Sequence, residues 1–135
     1  KYTDRKIVVR PHPLYRKLEQ QNDLRDSILR VANVNWQETD LREPGFVDIK
    51  EQLKRAWCTV TYSSGTGIDA VINGVPKVAC DKGSMVYDVS TTDISEIENP
   101  YRGEKKTWTN KIAHCQWSID EFESGECWEH VSKSI

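Results

Sequence analysis

Apolar residues in this chain fall in short runs separated by longer polar stretches, and the runs alternate between two spacings. Ile7, Val8 and Val9 are consecutive and β-branched, which predicts a strand over 6–10, stopped by Pro11 and Pro13. Leu14, Leu18, Leu24, Ile28, Leu29 and Val31 recur at helical intervals and predict a helix over 14–34, with a break near Asn22 and Asp23. Residues 35–45 are polar and irregular, ending in the turn signal Pro44-Gly45. Asp48 is placed to cap a helix over 49–56, with Leu53 and Ala56 facing inward. Cys58, Thr59, Val60, Thr61 and Tyr62 then predict a buried strand. A turn of five small residues follows, Ser63-Ser64-Gly65-Thr66-Gly67, and Ile68 through Ile72 predict a helix stopped at Asn73-Gly74. The next strand is predicted over 76–80. Residues 83–100 read as a long loop with a short turn at 93–97, and two helices are predicted over 105–113 and 119–131. Trp108, Ile112, Cys115, Ile119 and Phe122 supply an apolar stripe there.

Strands that alternate with helices predict a parallel sheet with helices on both faces. In such sheets ligands sit beyond the carboxyl ends of the strands. His12 and the 63–67 turn each follow a predicted strand directly, so both are expected on that rim.

The chain has 135 residues, enough for one domain with a core of its own. Its net charge of −2 excludes a generally basic, nucleic-acid-coating protein. No apolar run approaches the ~20 residues of a membrane span, and no signal-peptide pattern opens the chain. Cys58, Cys80, Cys115 and Cys127 show no zinc-like spacing. They are expected to be reduced and structural, with Cys58 and Cys80 as buried apolar filler in a cytoplasmic protein. The first residue is Lys1 rather than Met, which suits a fragment or a processed chain.

The 63–67 turn carries the chemistry. A strand, a small-residue turn and a helix aim backbone N–H groups, hydroxyls and the positive end of the helix dipole at one point, which suits a phosphate. Ser63, Ser64 and Thr66 supply hydroxyl and backbone donors, while Gly65 and Gly67 allow close approach. An ordinary strand-to-helix connection with a Ser or Thr cap has the same signature. Neither a Walker loop nor a dinucleotide fingerprint is present. Arg10 offers a bidentate fork for phosphate and His12 a donor or acid, unless the loop is a plain surface turn. Asp69 either accepts from a sugar or ribose hydroxyl or simply favours the helix start. Asp81, Lys82, Gly83 and Ser84 follow the next strand and either reach the same ligand or form a plain loop. The Trp residues near His114 and His130 read as packing of a C-terminal helical layer rather than a metal or stacking site.

Arg10-Pro11-His12-Pro13, together with residues 61–76 (Thr-Tyr-Ser-Ser-Gly-Thr-Gly-Ile-Asp-Ala-Val-Ile-Asn-Gly-Val-Pro), resembles the donor-binding half of GT-B glycosyltransferases. The pattern is similar to that of capsule-polysaccharide transferases of the Kdo-transferase and polysialyltransferase type. In that family a His-Pro motif and a Ser/Thr-Gly turn bind the phosphate of the activated sugar. The resemblance implies that role for His12 and for Ser64, Gly65, Thr66 and Gly67, with Asp69 where the family often has Glu. Residues 108–128, with Ala113-His114-Cys115-Gln116-Trp117, also resemble a segment of phage-encoded glycosyltransferase-type proteins, some of which decorate DNA bases. The acceptor-binding half, which usually brings the catalytic base, is missing from the match, so no base is named.

The expectation is therefore an α/β, Rossmann-like C-terminal half of a GT-B fold. Residues 1–103 would form the nucleotide-sugar-binding core, and 104–135 a helical segment packed on it. It would serve a glycosyltransferase moving a sugar from a nucleotide donor to a hydroxyl acceptor, a polysaccharide or a DNA base. No cofactor is expected beyond the nucleotide-sugar co-substrate, and no metal. An N-terminal acceptor-binding domain or partner chain would complete the enzyme. The rival readings are a non-catalytic nucleotide-binding subunit of a split enzyme and a sugar-nucleotide epimerase-like domain.

Overall fold

The computed structural model describes residues 2–12 and 21–133. They fall into two compact units, Lys1–Arg102 and Gly103–Ile135.

In the first unit, strands and helices alternate: β1 (Ile7–Val9), α1 (Gln21–Leu29), β2 (Val34–Trp36), α2 (Ile49–Leu53), β3 (Thr59–Thr61), α3 (Thr66–Ile72) and β4 (Lys77–Ala79). The predicted α/β class and parallel strands are present. The strands form two separate parallel pairs, β1 with β2 and β3 with β4. In register, Ile7 faces Val34, and Thr59 faces Lys77. Thr91 adds a bridge to Val78 on the far edge of β4, with its N–H donating to the Lys77 carbonyl at 3.0 Å.

Strand β2 corrects the sequence reading, which ran a helix to Val34. Helix α1 ends at Leu29, and Asn33 turns the chain at φ +67° into the parallel strand beside β1. The portion of that predicted helix over 14–20 lies outside the described residues. Asp48 does cap α2, its carboxylate accepting from Lys50 N–H at 2.8 Å, but the helix stops at Leu53. Strand β3 is half-open rather than buried, because Val60 is 46% exposed.

The core lies where α2, α3 and β4 meet. Leu53, Ala70 and Val75 form a buried cluster with Ile49 and Ala56 packed against it. On α3 the inward positions are Gly67, Ala70 and Val71, spaced as one helical face, and Ile72 at its end points to solvent. Gly74 closes the helix at φ +73°, and the Val75 N–H then donates to the Ala70 carbonyl at 2.8 Å.

In the second unit are α4 (Lys106–His114), α5 (Ile119–Ser124) and α6 (Glu126–Ser132). The single helix predicted over 119–131 is two, because Gly125 adopts φ +85° between them. Ser118 and Glu121 form a reciprocal capping box on α5, and the hydrogen bonds from Ser118 hold the Glu121 carboxyl below its ordinary pKa. Trp108 is buried as expected of a packing residue, whereas Trp128 is 70% exposed.

No helix among the described residues is long and apolar enough to cross a membrane. All four cysteines are free, but Cys80 is exposed rather than buried filler. Cys58 is half-buried just ahead of β3, and burial pushes its thiol pKa up.

Candidate functional site

The two loops singled out from sequence lie at comparable positions in the fold. Arg10 to His12 follow the carboxyl end of β1, and residues 63–67 follow the carboxyl end of β3.

The turn before α3 is held by its own first residues. Ser64 Oγ accepts from the Thr66 N–H at 3.2 Å, and the Ser64 carbonyl accepts from Gly67 N–H at 3.0 Å. The Gly65 carbonyl takes the N–H groups of Ile68 at 2.9 Å and Asp69 at 3.4 Å. The donors expected to be open to an anion from Thr66 onward are therefore engaged within the turn. That is the outcome when a serine two residues ahead folds back as a local cap. The hydroxyls of Ser63 and Thr66 make no hydrogen bond within the described residues and remain available.

The two glycines differ in what they do. Gly67 is buried, and a Cβ built on it would stand 2.8 Å from Val86 Cγ2 and 3.5 Å from Thr61 Oγ1. It lets the segment after β4 seat directly on α3. Gly65 has ordinary helical φ of −56° and open space around its missing Cβ, so neither conformation nor packing requires glycine there. Open space at that position permits another molecule to approach the backbone closely.

Arg10 makes contacts of its own within the fold. Its Nη1 donates to the Val47 carbonyl at 2.7 Å and to Gln52 Oε1 at 2.9 Å, and its guanidinium lies 5.7 Å from the centre of the Phe46 ring. Burial lowers its pKa from the ordinary value, with Asp48 partly opposing. Gln52 in turn donates to Gln37 Oε1 at 2.7 Å, which ties α2 to the residue just past β2. Arg10 thus clasps the end of β1 to α2, a partner 37 to 42 residues away that no local pattern reveals. Arg10→Ala is expected to cost about 1.5–3 kcal/mol in urea unfolding, as for a lost hydrogen-bonded charge. A change below about 0.5 kcal/mol would show that the clasp does not contribute to folding.

His12 is exposed, three residues beyond the end of β1. Asp69 is half-buried in the first turn of α3. After β4, Asp81 Oδ1 accepts from the Gly83 N–H at 2.8 Å to form a tight turn, and Ser84 is buried. Among the described residues, the buried hydroxyl oxygens of Thr39, Thr59, Thr61 and Ser84 have no hydrogen-bond partner, a costly state.

No family model, curated protein or solved structure matches the chain.

Sequence reasoning passed over Tyr62. It is 66% exposed immediately before Ser63, and the facing Asp81 carboxylate raises its pKa. The signal was present, since Tyr62 ends the β-branched run. A shallow cavity of about 580 Å³ lined by Tyr2, Thr3, Asp4, Arg5 and Glu98 lies instead at the amino end of β1. Its Arg5 and Glu98 pair with each other at 2.9 Å. No group of His, Cys, Asp and Glu among the described residues is arranged to hold a metal ion.

Proposed function

We propose that this chain is the nucleotide-sugar-binding half of a glycosyltransferase, the C-terminal half of a GT-B fold. The whole enzyme would transfer a sugar from a nucleotide donor to a hydroxyl acceptor. One observation carries the proposal: the Arg10-Pro11-His12 loop and the Ser63-to-Gly67 turn each leave the carboxyl end of a parallel strand in an alternating β/α order.

Further support comes from how β1 and β3 are linked. The Arg5 guanidinium stands 4.1 Å from the centre of the Trp57 ring, so the residues just ahead of β1 and β3 meet. Helix α2 starts beside Arg10, and the chain returns from it to Trp57. That is the path of a helix that leaves β2, passes over β1 and delivers the chain to β3, and it suits one Rossmann-like layer in the order β2, β1, β3, β4.

In this assignment His12 and the hydroxyls of Ser63 and Thr66 meet the donor's phosphate, and Gly65 admits it to the backbone. Ser64 and Gly67 shape the turn, Arg10 anchors the first loop, and Asp69 accepts from a sugar or ribose hydroxyl. Donors aimed at a departing phosphate stabilise charge that grows as the glycosidic bond breaks, and one lost donor costs about 3 kcal/mol of barrier.

Thermal-shift measurements against UDP, CMP, GDP and TDP are expected to single out one base. Calorimetry with that nucleotide should then show about tenfold or greater weakening in His12→Ala and in Thr66→Ala. Undiminished affinity in both variants would remove the site.

A further inference from the structure

Four large apolar side chains on α5 and α6 of the second unit stand in water. Ile119 is 74% exposed, Phe122 62%, Trp128 70% and Val131 40%. Ile119 and Phe122 stand three residues apart on α5, and Trp128 and Val131 stand three apart on α6, so each helix carries its pair on one side. The two helices pack against each other through the Gly125 turn. They have six and seven residues, whereas isolated helices shorter than ~12 residues are marginal in water. Such helices draw their stability from a covered apolar face.

Charge decides what can cover it. Residues 118–133 hold five carboxylates and one lysine, a formal charge of −4. Asp120, Glu123, Glu126 and Glu129 are exposed, and Glu123 lies one turn from Ile119. A second copy of this acidic surface would be repelled, as would an anionic membrane or a nucleic acid. A cationic partner with an apolar face satisfies both features. We infer that the α5–α6 hairpin is a docking surface for a basic amphipathic helix of a protein partner, with Phe122 and Trp128 as its anchors. This is the helix-on-apolar-surface mode of recognition, with the carboxylates setting the partner's charge.

The probe is a synthetic Leu/Lys amphipathic helix of about 14 residues, long enough to fold on binding, with its Leu/Glu counterpart as control. Added to the full chain with ¹⁵N-labelled tryptophan, the Leu/Lys peptide should shift the Trp128 indole signal, assigned through Trp128→Phe. By calorimetry, Phe122→Ser and Trp128→Ser should each weaken it by roughly tenfold or more, as anchor residues do. Raising salt from ~50 to ~500 mM should weaken it as well. Both positions are exposed, so circular dichroism of the variants should match the parent. Equal binding of the Leu/Glu peptide, or binding that survives both substitutions, would overturn the inference. So would a Trp128 signal that moves with protein concentration alone or with phosphatidylserine vesicles, since the occupant would then be a second copy or a membrane.

Discussion

Gly67→Ala should destabilise the chain by about 1–3 kcal/mol, the usual cost of forcing an extra carbon into a packed site. Inside a helix the same exchange normally stabilises by about 1 kcal/mol, so the expected sign is opposite to that given by helix propensity. The reason is Val86, whose Cγ2 would lie 2.8 Å from the new Cβ. Val86 is 1% exposed and β-branched, so it can neither swing into solvent nor change rotamer cheaply. Gly65→Ala, two residues away, has nothing within 4 Å and a helical φ, and should leave stability within about 0.5 kcal/mol of the parent. The pair separates packing from binding. Gly65→Ala is expected to weaken nucleotide affinity at unchanged urea midpoint, whereas Gly67→Ala lowers the midpoint itself. A Gly67→Ala midpoint equal to the parent's would show that the segment after β4 does not rest on α3.

Lys77 is the second position of large effect. It is 1% exposed in β4, and its ammonium donates to the Val89 carbonyl at 2.8 Å. The contact pins the 3-10 turn at Tyr87–Val89 over the strand, beside Thr91, which pairs with the same edge. Lys77→Ala removes a long packed stem and should cost about 2–5 kcal/mol, as for other large-to-small core changes. Lys77→Met keeps most of that volume and should cost clearly less, because an apolar replacement of similar size also removes the burden of burying a charge. Amide exchange at Thr91 should accelerate in Lys77→Ala before the global unfolding rate changes. A loss below about 1 kcal/mol for the alanine variant would be incompatible with a packed, buried stem.

Those two positions illustrate what is and is not written locally. Strand β3, helix α3 and strand β4 were legible because their signals sit within the segments: a β-branched run, a row of small residues and Asn73-Gly74. Asp48 was legible as a cap for the same reason. Strand β2 was missed because Val34, Asn35 and Trp36 carry little pattern over three residues, and what makes them a strand is the neighbouring β1 ladder. The two-helix ending was partly legible, since Gly125 stands in the sequence where a left-handed residue ends α5.

The candidate site divides along the same line. The placement of its two loops past β1 and β3 followed from the order of elements. The fates of individual groups did not. Arg10, expected on a ligand, bonds to Val47 and Gln52, and the N–H groups at the start of α3 bond to Ser64 and Gly65.

By itself, the sequence determined the β3–α3–β4 unit, the Asp48 cap, the Gly74 helix stop and the places of the two loops that follow β1 and β3. All of these rest on interactions spanning a few residues. Tertiary structure alone decided that Lys77 is buried, that Cys80 is exposed, that Arg10 is a clasp, and that Gly67 is a packing contact. Each of those outcomes depends on a partner brought in from another part of the chain. A charge or a missing Cβ has no fixed meaning until folding supplies the neighbour that neutralises it or fills the space beside it.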